Sequence, residues 1–317
     1  MLTQRQLLAS IPAALSTVDI AGLGPKLSGK VRDMYALPAG RRALITTDRV
    51  SAFDVVLGAI PFKGQTLNQL SAWWFDQTSD IVGNHMLSTP DPNVMIAREA
   101  QPLPVEVIVR GFITGVTKTS LWTLYAAGER TPYGIALPDG MKKNDMLPRP
   151  IITPTTKAAA GAHDARLTRA EIIDKLLPVA LWAQIETVAV ALFERGQQVA
   201  RSAGLVLVDT KYEFGLIDGK LAVIDEIHTP DSSRYWTLES YQADPAAPRN
   251  FDKEFLREWY AERGYRGDGA PPPMTDEFIA QVAERYIAAY ERLTGQTFLP
   301  GAPPAADRIA RVVRAAQ

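Results

Sequence analysis

The chain has 317 residues, with 34 Lys and Arg against 35 Asp and Glu; this near-neutral balance gives no whole-chain basic field for nucleic acid or anionic lipid. It has no cysteine and three histidines (85, 163 and 228), which excludes disulfides, thiolate zinc sites and cysteine nucleophiles and leaves little for a histidine metal cage. Oxygen-ligated metals stay open, and 46% hydrophobic residues supply a normal core for one large or two modest domains.

In chain order, the N-terminus carries too little positive charge for a signal peptide, and the most apolar stretch, 176 to 193, is interrupted by Pro178, Gln184 and Glu186. A cytoplasmic protein is expected. "GKVRDMYALPAGRRALITTDRVSAFDVVL" reads as a hairpin with a Pro-Ala-Gly turn and then a further strand, so the first hundred residues look β-rich. "PVEVIVRGFI" (104 to 113) is a buried strand, and the Pro/Gly-punctuated stretch 128 to 162 reads as ordered loop over a site. In "LTRAE", Thr168 and Glu171 form a capping box, and Pro178 starts a second helix. Its stripe of Trp182, Ile185, Ala189, Leu192, Phe193 and Val199 is core, and Gly204 ends it. After a second hairpin come two amphipathic helices, "FDKEFLREWYAERG" and "TDEFIAQVAERYIAAYERLTG", and a short basic terminal helix.

That second hairpin carries the strongest chemical signal. Asp209, Lys211 and Glu213 alternate along its first strand, so they share one face, where three charges are costly to bury without a ligand. A three-residue loop, Asp218 to Lys220, is expected, because it sets Asp225 directly opposite Glu213; a two-residue Asp-Gly turn would point Asp225 away. Two facing carboxylates without soft ligands fit Mg²⁺ shared with phosphate oxygens. The plainer alternative is a surface hairpin with alternating salt bridges.

Other segments offer anion contacts. "LSGKVRDMY" places Gly29 before a strand with Lys30 and Arg32 on one face, as a phosphate cradle or as an ordinary hairpin. Arg110 ends an apolar strand, where it is either a salt-bridged edge residue or an anion clamp. "TPDSSRYW" gathers Asp231, Ser232, Ser233 and Arg234 in one loop, and the His163-Asp164 pair reads as a base or as a helix cap.

Taken together and in order, "GKVRDMY", "TDRVSAFD", "PFKGQTLNQLS", "VIVRGFITG", "TPTTKAAAGAHD", "DTKYEFG", "DEIHTPDSSRYW" and "FDKEFLREW" resemble the signatures of the SAICAR synthetase (phosphoribosylaminoimidazole-succinocarboxamide synthase) family of purine biosynthesis, over nearly the whole chain. The resemblance implies a two-lobed α+β fold similar to ATP-grasp or kinase-like arrangements. The expected divisions are a β-rich ATP-binding lobe (1–108), a central α+β lobe with the metal and substrate site (109–265) and a C-terminal helical segment (266–317). It also implies an ATP- and Mg²⁺-dependent ligase that joins L-aspartate to the carboxylate of carboxyaminoimidazole ribonucleotide (CAIR). ATP, CAIR and L-aspartate are the expected partners and the charge balance argues against nucleic acid or membrane; a monomer is compatible with the sequence, which leaves the oligomeric state open.

Carried over residue by residue, the resemblance gives Gly29, Lys30, Val31 and Arg32 to ATP phosphates, Glu213 and Asp225 to Mg²⁺, and Lys211 and Asp209 to the reacting groups. Arg110, Ser120, Asp231, Ser232, Arg234, Asp54, Lys63, Lys157 and Asp164 go to substrate, with Ser51 at a less sharply matched position. The chain departs from the family in reading "GVTKTSLW" where a shorter Gly-Ser-Ala-Trp is usual, so Ser120 corresponds only across an insertion. A carboxylate is a poor electrophile, so amide formation calls for an acyl phosphate that the aspartate amine attacks, with Asp209 or Asp164 taking the proton. A small-metabolite kinase or a non-catalytic nucleotide-binding module would share much of this pattern.

Overall fold

Ala39 and Gly40, at φ 59° and 63°, close the Pro-Ala-Gly turn between strands Arg32–Leu37 and Arg41–Thr46 in the computed structural model, which describes residues 2–53, 55–117, 119–157 and 165–317. These strands are the centre of a five-stranded antiparallel sheet, flanked by Leu27–Ser28 on one side and by Val94–Arg98 and Met86–Asp91 on the other. Alternation divides its residues between two cores. Tyr35, Ala43, Ile45 and Ile96 pack with Leu15, Val18 and the terminal-helix residues Ile309 and Val313, whereas Leu44, Met95 and Ala97 join the main core.

The second sheet is built on Leu205–Ile217, which pairs along one side with Gln101–Phe112 and along the other with Ser233–Thr237 and then Lys220–Ile224. The helix Val179–Ser202 lies across it, its buried residues Trp182, Ile185, Ala189, Leu192 and Phe193 being the stripe read from sequence. Gly196 permits the close approach: a Cβ there would stand 2.6 Å from the His228 ring. The capping box also forms, Thr168 accepting from the Glu171 amide at 3.3 Å while Glu171 accepts from the Thr168 amide at 2.8 Å. Thr168→Ala should therefore cost ~0.5–2 kcal/mol, read as an unchanged denaturant slope with a lower midpoint.

Two elements differ from the sequence reading. The stretch expected as loop contains the strand Met146–Ile152, paired with Gln101–Phe112, and the short strand Thr155–Thr156. It tolerates Pro148 and Pro150 because it is an edge strand with a register shift between Met146 and Ile151. The β-rich N-terminal part also holds a 15-residue helix, Lys63–Gln77. No apolar stripe announces it, since Lys63, Gln65, Thr66, Asn68 and Ser71 are buried alongside Leu67, Leu70 and Trp74, and Phe62 gives its start no side-chain cap.

The strand Gln101–Phe112 runs unbroken through position 108, and the helix Asp276–Thr294 packs on helices Gln4–Ser10 and Lys63–Gln77. Among the described residues, no helix is long and apolar enough to cross a membrane.

Candidate active site

The charged face of Leu205–Ile217 lies against an equally charged strand. Asp209 stands opposite Arg110, Lys211 opposite Ile108, and Glu213 opposite Glu106. Two glutamates directly across a ladder repel each other, and Lys211 resolves this by placing Nζ 2.8 Å from Glu106 Oε1 and 2.9 Å from Glu213 Oε1. Lys157 adds a contact of 2.5 Å to Glu213 Oε2. Burial alone would raise the Glu213 pKa, but Lys211 and Lys157 hold it at about 2. Burial likewise works against the charge of Lys211, yet Glu213, Glu106 and Asp225 keep its pKa above the ordinary lysine value. Further along the same face, Asp209 Oδ2 is shared by Arg234 at 2.8 Å and Arg110 at 3.1 Å, and Arg110 also donates to Thr153 Oγ1 at 2.8 Å.

The hairpin register is not the expected one. Ile217 pairs with Lys220 and Glu213 with Ile224, so the turn is the two-residue Asp218–Gly219, with φ 51° and 75° at its centre. Positive φ at both positions matches the right-handed twist of the flanking strands, which favours this turn over the three-residue loop. Continued regularly, that register would set Asp225 opposite the buried Tyr212. Instead the ladder stops at Ile224, and Asp225 adopts a left-handed conformation at φ 70°. Its carboxylate pairs with Arg32 of the five-stranded sheet, which also lies 3.3 Å from Glu226. A backbone kink, not ladder register, thus brings Asp225 into the electrostatic neighbourhood of Lys211.

The "TPDSSRYW" loop binds back into the fold. Asp231 accepts from Lys63 Nζ at 2.8 Å and from Tyr286 Oη at 2.5 Å, the lysine fully buried and the aspartate nearly so. Burial would raise the Asp231 pKa, but Lys63 and Lys253 pull it well below the carboxylate range. Ser232 is engaged locally, its hydroxyl accepting from the Thr229 amide at 3.2 Å. The preceding His228 is buried, its Nε2 2.5 Å from Tyr212 Oη, and burial lowers its pKa to about 3.

The expected phosphate turn lies on the other sheet. The Gly29 amide donates to the Arg32 carbonyl at 2.8 Å, and the Val31 carbonyl accepts from the Thr47 amide. Arg49 donates to the Gly29 and Lys30 carbonyls, each at 3.0 Å. From this turn Arg32 is bonded to the hairpin acids Asp225 and Glu226, and Ser51 lies in the neighbouring strand Arg49–Ala52. Ser120 is buried at the start of helix Leu121–Ala126, its Oγ 2.7 Å from Thr117 Oγ1 and packed under Gly115. Asp54 and Asp164 lie outside the described residues. A cavity of about 290 Å³ opens beside Arg234, lined also by Thr114, Gly115, Asn144, Asn250 and Glu254.

A family model for SAICAR synthetase matches residues 26–272. The chain belongs to the SAICAR synthetase family. A phosphoribosylaminoimidazole-succinocarboxamide synthase of Legionella pneumophila (strain Lens) is 48% identical over 297 residues, spanning 90% of this chain and 93% of that protein. A chloroplastic synthase of Arabidopsis thaliana is 46% identical over 98% of this chain and 74% of its own length. In three dimensions the chain is similar to the Saccharomyces cerevisiae SAICAR synthase complexed with SAICAR, at a TM-score of 0.80 and 31% identity, over 90% of this chain and 100% of that one.

Around the candidate residues stand further groups that the sequence alone did not single out. Glu106 was legible, because it sits four residues before Arg110 on one strand and so shares its face. Glu226, Lys253 and Tyr286 carry no such signal, and only packing brings them to Arg32 and Asp231. Among the described residues no group of three or more acidic or histidine side chains is close enough to cage a metal alone. The donor chemistry nonetheless fits Mg²⁺, which takes one or two carboxylates and completes its shell with phosphate and water. Glu213 and Asp225 supply hard oxygens whose charge Lys157, Lys211 and Arg32 balance here.

Proposed function

We propose that this chain joins L-aspartate to the carboxylate of CAIR at the expense of ATP, giving SAICAR, ADP and phosphate in purine biosynthesis. The carrying observation is one continuous sheet face with Lys211 bridging Glu106 and Glu213 at one end and an arginine pair on Asp209 at the other. Such a face handles phosphoryl charge at one end and anionic substrate at the other. Family membership favours this ligase over a small-metabolite kinase or a non-catalytic module.

In this reading Glu213 and Asp225 hold Mg²⁺, which offsets charge on the ATP phosphates when bound. Gly29, Lys30, Val31 and Arg32 edge the phosphates from the five-stranded sheet, and Lys211 faces the transferred phosphoryl. Arg110 and Arg234 orient an anionic group of CAIR or aspartate, with Ser120, Asp231, Ser232, Lys63, Lys157, Asp54 and Asp164 around the substrates. A CAIR carboxylate oxygen attacks the γ-phosphorus, the bond to the β-phosphate oxygen breaks and ADP leaves. The aspartate amine then attacks the acyl carbon, loses a proton and expels phosphate. Nucleotide lies between residues 1–108 and 109–265, with residues 266–317 packed on both.

Because the CAIR oxygen bonded to phosphorus departs with it, ¹⁸O placed in that carboxylate should appear in inorganic phosphate after turnover, with no AMP formed. Mass spectrometry of the products checks this. Label in AMP, or unlabelled phosphate alongside amide formation, would overturn the acyl-phosphate route.

A further inference from the structure

Tyr286 lies in the helix Asp276–Thr294, beyond the residues 26–272 that the family model matches, yet its hydroxyl reaches the "TPDSSRYW" loop. Tyr286 Oη donates to Asp231 Oδ1 at 2.5 Å, and Lys63 Nζ, from the first turn of the helix Lys63–Gln77, donates to Asp231 Oδ2 at 2.8 Å. The lysine Nζ also stands 5.4 Å from the centre of the Tyr286 ring. All three side chains are buried and the two helices pack on each other, so the carboxylate is held by one continuous support. Lys63 already balances the Asp231 charge; the hydroxyl adds direction, because a bond to each oxygen fixes the carboxylate plane where a single bond would let it pivot. Burial and the charge of Asp231 push the Tyr286 phenol well above its ordinary value, which keeps it a donor. Asp231 itself sits in a tight turn, its amide donating to Thr229 Oγ1 at 3.2 Å and the Ser233 amide to the Thr229 carbonyl at 2.9 Å. The turn borders the charged sheet face: the Ser232 carbonyl accepts from the Lys211 amide at 2.9 Å, and Arg234 meets Asp209 at 2.8 Å.

We infer that Tyr286 is a positioning residue for the substrate loop: acting through Asp231, it holds residues 229–234 in their binding arrangement before any substrate arrives. A loop that is already ordered adds no ordering cost to binding, whereas one held by Lys63 alone must be ordered by the substrate itself. The effect therefore belongs to substrate affinity and not to the chemical step. ATP is spared, because the functional reading above sets its phosphates against the other sheet. The proposal rests on that reading for the identity of what the loop binds, but not for the order of the loop.

The test compares wild type with Tyr286→Phe, which removes only the hydroxyl and leaves Lys63 on Asp231. KM for CAIR or for L-aspartate should rise by roughly tenfold, the order of one hydrogen bond to a charged group, with kcat and the KM for ATP within about twofold of wild type. Unchanged KM values with a lower thermal midpoint would mean a purely structural role and overturn the proposal. An equal rise in the KM for ATP, or a fall in kcat alone, would also overturn it. Hydrogen exchange at residues 229–234 gives a readout independent of turnover. These amides should be protected in free wild type and gain little from CAIR and L-aspartate; in the free variant they should exchange faster and regain protection with both substrates. Wild-type amides that become protected only when substrates bind would overturn the proposal, a result that needs no variant to fold. Absence of any CAIR turnover by wild type would sink the functional reading instead. Exchange in the two free proteins then decides: loss of protection confined to residues 229–234 in the variant supports the proposal, and identical exchange, or faster exchange throughout the chain, overturns it.

Discussion

Glu213→Gln and Asp225→Asn should each reduce turnover by at least ~10²–10³-fold while leaving the protein folded. The loss follows from removing a charged oxygen ligand where phosphate charge must be balanced; an amide of the same shape is a much weaker partner for Mg²⁺. Folding should survive because neither change strands a buried cation. Lys211 keeps Glu106 at 2.8 Å when Glu213 is neutralised, and Arg32 keeps Glu226 at 3.3 Å when Asp225 is neutralised. Raising the Mg²⁺ concentration should recover part of the activity of each variant, and the thermal midpoint should move little. Near-wild-type turnover in both proteins would remove the metal role from this pair.

Lys63→Met carries the largest expected loss of stability, ~3–5 kcal/mol, because it leaves an ion of a buried pair without its main partner. Lys63 is fully buried and its Nζ lies 2.8 Å from Asp231, whose remaining hydrogen bond comes from Tyr286 at 2.5 Å. Adding Asp231→Asn to Lys63→Met should restore much of the loss, and a double-mutant cycle by denaturant titration measures the coupling. The pH dependence has a definite sign. Asp231 is held below its ordinary value of 3.8, so its contribution is present above that pH and fades as the pH falls toward the folded-state value. Lys63→Met should therefore flatten the acid limb of the stability curve as well as lower its plateau. Additive single effects, or an unchanged acid limb, would show that the pair does not act as a unit.

How much of this was legible in sequence depends on the range of the interaction concerned. Strand alternation is local: it set Asp209, Lys211 and Glu213 on one face, and the same rule applied to "PVEVIVRG" puts Glu106 beside Arg110. The Pro-Ala-Gly turn, the Thr168 capping box and the core stripe of Val179–Ser202 are likewise short-range patterns, and all of them form. The helix Lys63–Gln77 has no such pattern, because elements packing on several sides bury its polar and apolar residues together. Composition excluded thiolate ligands and left oxygen-ligated metals open, and the ordered motifs gave the family. The hairpin turn shows the limit. Asp218–Gly219 takes the two-residue geometry that local chemistry favours, and the resulting register by itself would have aimed Asp225 away from Glu213. What returns Asp225 to the site is its left-handed backbone and the attraction of Arg32, a residue 193 positions away on another sheet. The buried pair of Lys63 with Asp231, 168 positions apart, and the sharing of Asp209 between Arg110 and Arg234 were also decided only in three dimensions. A buried charge takes its properties from whichever partner the packed chain delivers, and nothing local in the sequence specifies that partner.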